Sequence, residues 1–156
     1  MNRPRDLGPL LTLAERRRDE AAQALAHARR ERASAEAQMQ QLQAYTRDAD
    51  ARWRDRTRTG VTPTLLATHR QFMLKLEDAV RYQTDVLQQL DQRIGQLLGA
   101  LAEAERELAA LQRVQQRWLH DWQRRQQRLE QKATDEMAAT LHRHRHTRHP
   151  DEGGPR

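Results

Sequence analysis

The sequence predicts an all-α protein in which two long helices form an antiparallel coiled-coil hairpin, the second helix being the longer. Three observations support this fold class. Hydrophobic residues make up 37% and aromatic residues only 4%, against 32% charged residues, which is too little bulky apolar material for a layered globular core. Proline occurs only at positions 4, 9, 63, 150 and 155, so two long stretches contain no obligatory helix breaker. Apolar residues also recur at the spacing of a coiled-coil seam.

The seam follows alternating steps of four and three residues, and it runs through both stretches. Eleven of fourteen positions are apolar in the first series, which is Leu7, Leu11, Ala14, Arg18, Ala21, Leu25, Ala28, Arg32, Ala35, Met39, Leu42, Thr46, Ala49 and Trp53. Fourteen of eighteen are apolar in the second, which is His69, Met73, Leu76, Val80, Gln83, Leu87, Leu90, Ile94, Leu97, Leu101, Ala104, Leu108, Leu111, Gln115, Trp118, Trp122, Arg125 and Leu129. A repeat of 3.5 residues over this length predicts a left-handed coiled coil.

A turn separates the two series. Gly60 can end a helix in a left-handed conformation, and Thr62 followed by Pro63 is typical of a capped helix start. We therefore expect one coiled-coil domain over residues 1–141, with a helix at about 6–56, a turn at 57–62 and a helix at about 63–141. The residues at 142–156 alternate His with Arg and end in Gly and Pro, which predicts a disordered tail.

The second helix is expected to extend beyond its partner from about Trp118. Its last part still carries apolar residues such as Trp122 and Leu129, which suggests a binding site for it on another protein. Gly95 and Gly99 interrupt this helix at a cost of about 1 kcal/mol each. Because the seam keeps its phase across them, we expect exposed positions at a local bend; the alternative is a break that gives three helices.

Several classes of function are disfavoured by the residues themselves. The chain has no cysteine and none of the motifs that mark catalytic loops, so we expect no catalytic residues, no cofactor and no metal site. The histidines at 142, 144, 146 and 149 are read as part of a solvated tail. No apolar run approaches the length of a membrane span and no signal sequence is present, which predicts a cytoplasmic protein.

One flank of the second helix is a candidate binding surface. Phe72, Leu76, Ala79 and Gln83 form a stripe with helical spacing, and Phe72 is the only phenylalanine. An exposed aromatic on a rigid helix is a plausible anchor for a partner, and we expect its removal together with Leu76 to leave the fold intact. The alternative is that Phe72 folds over the seam as a staple near the turn.

Segments in order along the chain resemble the FliJ family, the coiled-coil stalk proteins of flagellar type III export. The first helix carries Leu13-Ala14-Glu15, Asp19, Ala21-Ala22, Ala35-Glu36, Gln41-Leu42 and Tyr45; the second carries Gln71-Phe72, Leu76-Glu77, Ala79-Val80, Gln131-Lys132, Asp135-Glu136 and Ala138. The resemblance runs from about Leu10 to Ala139.

This resemblance implies partners and site residues. The family's partners are the export ATPase FliI, the export gate protein FlhA and export chaperones, with no nucleic acid and with membrane contact only through the apparatus at the inner membrane. Gate binding would fall on Phe72, Leu76, Ala79 and Gln83, the last standing where the family can carry histidine. Contact with the ATPase ring would fall on Leu13, Arg16, Asp19, Gln131, Lys132, Asp135 and Glu136.

Three other interpretations remain open at this level. An injectisome stalk of the YscO or HrpO type would have the same architecture and different partners. A net charge of +6 is also compatible with a basic coiled coil that binds nucleic acid or an acidic membrane. A homodimeric spacer is the third, and a largely monomeric chain would exclude it.

Overall fold

The computed structural model describes residues 6–148 and contains two helices, α1 at Gly8–Thr57 and α2 at Pro63–Thr147. No strand occurs in this range. The predicted all-α hairpin with a longer second helix is confirmed. The end of α2 differs from the prediction, because the helix continues through residues 142–147, which were expected to be disordered. Arg and His suit the last turn of a helix, where they lie beside its free carbonyl groups. Residues 149–156 of the predicted tail lie outside the described range.

The predicted seam is the core of the protein. Every position of the α1 series is buried or half-buried, and so is every position of the α2 series as far as Trp122. The buried side chains among residues 6–148 are all apolar members of these two series, namely Leu7, Ala14, Leu25, Ala28, Ala35, Met39, Leu76 and Leu108. Burial therefore follows the 3.5-residue repeat and extends little beyond it.

The two helices contribute residues of different size to the seam. In α1, alanine occupies every seventh position from Ala14 to Ala35, and three of these four alanines are buried. In α2, leucine or isoleucine occupies most of the corresponding positions. Small side chains on one helix leave space for large ones on the other, which allows close packing without strained rotamers.

Contacts between the helices show that they run antiparallel. As residue numbers rise along α1, the numbers of their contact partners in α2 fall. The pairs are Arg17 with Glu107 at 3.9 Å, Arg32 with Asp91 at 2.6 Å, Tyr45 with Phe72, and Trp53 with His69. The sequence of partners fits one constant register over this whole length.

The turn between the helices has the predicted chemistry. Gly60 has a φ of 99°, a conformation that residues with a Cβ rarely adopt. The Thr62 hydroxyl accepts a hydrogen bond from the Leu65 N–H at 3.2 Å, so Thr62 caps α2 and Pro63 is its first residue.

By internal packing the chain divides into two compact units. One unit is Leu13–Leu108, which contains the turn and the helix pairing described above. The other comprises, within the described range, residues 6–12 and 109–148; Leu7 is buried in it, and Trp118 and Trp122 are half-buried. The prediction of a single domain over residues 1–141 stays a prediction.

Helix α2 is unbroken at Gly95 and Gly99. Both residues are exposed, and a Cβ placed on either would meet no atom within 4 Å. The alternative of a three-helix arrangement is therefore excluded, and neither glycine is needed for packing within the hairpin.

We predict that Gly95→Ala and Gly99→Ala each raise the free energy of unfolding by about 1 kcal/mol, since alanine loses less backbone entropy than glycine in a helix. Urea denaturation followed by circular dichroism measures this effect. The matched control is Gly60→Ala, which should destabilise by about 1 kcal/mol or more because the left-handed conformation is strained for alanine. A loss of stability at positions 95 and 99 would contradict the packing described here.

Candidate functional site

Phe72 is the exposed member of the predicted gate-binding stripe. Its side chain is 37% exposed, and its ring meets that of Tyr45 edge-on, with the centroids 6.1 Å apart and the planes at 74°. This arrangement is favourable for two aromatic rings and holds Phe72 in place beside the seam. Phe72 is thus both an accessible aromatic surface and a partial cover over the seam, which combines the two interpretations of the sequence.

Leu76 lies in the core. Only 7% of its surface is exposed, because it occupies a seam position between the helices, and Ala79 beside it is half-buried. The expectation that Phe72 and Leu76 can be removed together without affecting the fold is therefore wrong for Leu76. A side chain with this burial stabilises the hairpin directly.

Gln83 links the two helices. Its side-chain amide donates a hydrogen bond to the backbone carbonyl of Ala35 at 2.8 Å and another to the Gln38 side-chain oxygen at 3.3 Å. A polar residue that is satisfied by the partner helix at a seam position specifies the register of a coiled coil. The structure gives Gln83 this structural role, and its place in gate binding stays a prediction.

The surface around Phe72 continues towards the turn. A groove of about 230 Å³ is lined by residues that include Tyr45, Arg52 and Phe72. At its end, the Trp53 and His69 rings are stacked, with centroids 3.8 Å apart and planes at 3°. The sequence reasoning did not pair these two residues, although both are seam positions at similar distances from Gly60, seven residues before it and nine after it.

A charged contact crosses the hairpin in its middle. The Arg32 Nε donates to Asp91 Oδ1 at 2.6 Å, and Glu36 lies near the same guanidinium at 3.7 Å. The hydrogen bond from Arg32 to Asp91, and then the charge of that carboxylate, raise the pKa of Arg32 above its ordinary value. Since both side chains face solvent, the pair contributes mainly to register and specificity.

The residues predicted to contact the ATPase ring are accessible. In the unit 13–108, Leu13, Arg16 and Asp19 are exposed, and Asp19 accepts a hydrogen bond from Arg18 at 2.9 Å. In the other unit, Gln131, Lys132, Asp135 and Glu136 are exposed and share one side of α2, because they are spaced one and four residues apart.

The end of α2 is a long exposed helix. From residue 127 to residue 148 every residue is exposed, and these include Leu129 at 60% and Met137 at 69%. Leu129, Ala133 and Met137 are spaced four residues apart, so they form an apolar stripe on one side of this helix. Such a stripe is available for a partner. The predicted overhang is present, but half-burial continues to Gln126, eight residues beyond the expected start at Trp118.

Comparison with known proteins identifies the family. The sequence profile of the flagellar FliJ protein family matches residues 3–147, which is most of the 156-residue chain. This chain belongs to the FliJ family. The resemblance seen in the sequence rested on short segments that occur in the same order as in the family. The profile match extends over both helices and the turn. No curated protein matches the sequence.

A solved structure shares the fold. The structure of a putative YscO homolog, CT670 from Chlamydia trachomatis, aligns with a TM-score of 0.62 and 17% sequence identity, covering 96% of this chain and 100% of that one. At this identity the likeness concerns the fold. Within residues 6–148, neither helix of this chain contains an apolar stretch that is long enough to span a bilayer.

We predict opposite consequences for two neighbours in the gate-binding stripe. Leu76→Ala should lower the free energy of unfolding by about 2–5 kcal/mol, the usual cost of removing a buried leucine. Phe72→Ala should cost about 1 kcal/mol, because much of the ring already faces solvent. Urea titrations of the two variants test this order, and equal losses would show that Phe72 belongs to the core as fully as Leu76.

Proposed function

We propose that this FliJ-family chain is the stalk of a flagellar type III export apparatus. In this role the exposed end of α2 inserts into the ring of the export ATPase and promotes its assembly and activity. The side of the hairpin binds the export gate protein, and the stalk also binds export chaperones. It works in the cytoplasm at the inner membrane, and it acts without catalytic residues or a cofactor of its own.

The exposed end of α2 is the observation that carries this proposal. An isolated helix with an apolar stripe gains little from remaining in water, whereas insertion into a ring would bury Leu129 and Met137. The charged residues Lys132 and Glu136 lie beside that stripe on one flank, where they can pair with a polar lining of the ring. Membership of the FliJ family supports the same assignment.

Phe72 is the best supported part of the gate-binding surface. It is held by Tyr45 and stands beside a rigid, well-packed part of the hairpin, so its binding would cost little conformational entropy. Aromatic side chains in this situation are common anchors of interfaces. Ala79 extends the same surface, while Leu76 and Gln83 support it from the seam.

An ATPase assay tests the stalk function. We expect the full chain to stimulate ATP hydrolysis by the export ATPase from the same source. A variant with alanine at Gln131, Lys132, Asp135 and Glu136 should need about tenfold more protein for half-maximal stimulation, equivalent to roughly 1.4 kcal/mol of lost binding. Failure of the unmodified chain to stimulate hydrolysis would reject the stalk function.

A matched variant controls for surface changes in general. Alanine at Gln92, Arg93, Glu103 and Glu105 removes the same classes of side chain from exposed positions of α2 within the unit 13–108. This variant should stimulate the ATPase as well as the unmodified chain does. If both variants lose stimulation equally, the end of α2 is not the contact.

Binding to the cytoplasmic part of the gate protein tests the second contact. We expect Phe72→Ala to weaken this binding at least about tenfold, as is usual for a central aromatic anchor. The control is Tyr82→Ala, which removes another exposed aromatic of α2 ten residues further along. Circular dichroism should show full helicity in both variants. Unchanged binding by the Phe72 variant would exclude this residue as the anchor.

An injectisome stalk is the second candidate function. The shared fold with a putative YscO homolog favours it, since such a stalk would use the same hairpin. The two candidate functions differ in which ATPase the stalk would stimulate. Stimulation of an injectisome ATPase with no effect on a flagellar export ATPase would favour the second candidate.

A further inference from the structure

The positive charge of the chain is concentrated around the hairpin turn. Residues 51–76 contain six basic side chains and one acidic one, a net charge of +5, whereas the whole chain has a net charge of +6. By contrast, residues 1–50 contain nine basic and eight acidic residues, and residues 77–136 contain nine and eleven. Residues 137–156 contain four basic and two acidic residues, so residues 51–76 carry the largest net positive charge of these segments.

Most of the arginines in this segment are unpaired. Arg54 forms an ion pair with Asp50 at 2.9 Å. In contrast, Arg52, Arg56 and Arg58 are exposed and have no carboxylate partner within residues 6–148. A guanidinium that is exposed and unpaired remains free to bind an anionic group, and phosphate is well suited to its planar donors.

Apolar side chains are exposed at the same place. Val61 lies in the turn itself and is 37% exposed, and Leu66 in the first turn of α2 is 45% exposed. They are surrounded in sequence by the arginines of residues 52–58 and by Arg70. A basic surface with apolar residues at its tip combines two attractions to a lipid surface, one to anionic headgroups and one to the apolar layer below them.

We propose that the turn end of the hairpin, residues 52–70, binds directly to the surface of an anionic membrane. The arginines contact lipid phosphate groups, while Val61 and Leu66 enter the headgroup layer. This contact goes beyond the proposed stalk function, in which the chain reaches the membrane only through other proteins of the apparatus.

The observations favour lipid over nucleic acid. Binding to single-stranded nucleic acid commonly uses exposed aromatic faces for base stacking, but Trp53, the tryptophan of this segment, is stacked on His69. The exposed side chains of Val61 and Leu66 would not be buried in an apolar environment by contact with the phosphate backbone of a nucleic acid. The basic residues also converge on a turn, which meets a flat surface more readily than it follows a strand.

Vesicle co-sedimentation of the full chain tests the proposal. We expect binding to vesicles with equal parts of phosphatidylcholine and phosphatidylglycerol, and little binding to phosphatidylcholine alone. Neutralising Arg52, Arg56 and Arg58 to glutamine should weaken binding by about a hundredfold, at roughly fivefold for each arginine near an anionic surface. Val61→Ser combined with Leu66→Ser should weaken it by about tenfold.

The control removes the same charge elsewhere in the same unit. Arg29, Arg30 and Arg93 are exposed in the paired part of the hairpin, and changing all three to glutamine should reduce vesicle binding by less than about fivefold. An equal loss in both triple variants would overturn the proposal, because total charge would then account for binding. Absence of binding to the mixed vesicles, or stronger binding to DNA than to them, would also overturn it. ATPase stimulation by the Arg52, Arg56 and Arg58 variant should be unchanged, so this test is separate from that of the stalk function.

Discussion

The narrow apolar seam between the two helices is the constraint on which the rest of the structure depends. A pair of helices has no third layer, so only side chains that point directly at the partner leave solvent. This explains why the few buried residues in the described part of the chain, 6–148, are all seam members. It also explains why a candidate surface residue only one helical turn from Phe72 can belong to the core, as Leu76 does.

An apolar seam alone does not distinguish one alignment of α2 along α1 from the next. Polar contacts between the two helices therefore help to fix the register. The amide of Gln83 reaches the Ala35 carbonyl, and Arg32 reaches Asp91. A shift of α2 along α1 would separate these groups and leave the Gln83 amide without its partner. The alanines at every seventh position of α1, from Ala14 to Ala35, also favour this register, because the large residues of α2 fit best opposite small ones.

Exposed apolar side chains occur both at the end of α2 and near the turn, and the charges around them differ. The end of α2 carries an exposed apolar stripe with mixed charge, whereas the turn carries unpaired arginines with Val61 and Leu66. In residues 1–50 and 77–136 the numbers of basic and acidic residues are nearly equal, and several of these charges are paired within the chain. The surfaces proposed above for contact with the ATPase ring and with a membrane thus lie where the two helices do not bury each other's side chains.

The fold class, the seam and the position of the turn could be predicted from the sequence, because the 3.5-residue repeat and the Gly60, Thr62 and Pro63 signals are local properties of the chain. The sequence could not determine how much of each side chain stays exposed, since that depends on the partner helix. The hydrogen bond from Gln83 to Ala35 and the stacking of Trp53 on His69 became known only from the structure. It likewise showed that α2 continues through His142–Thr147, where helix propagation and favourable basic residues in the last turn outweigh a composition typical of disorder.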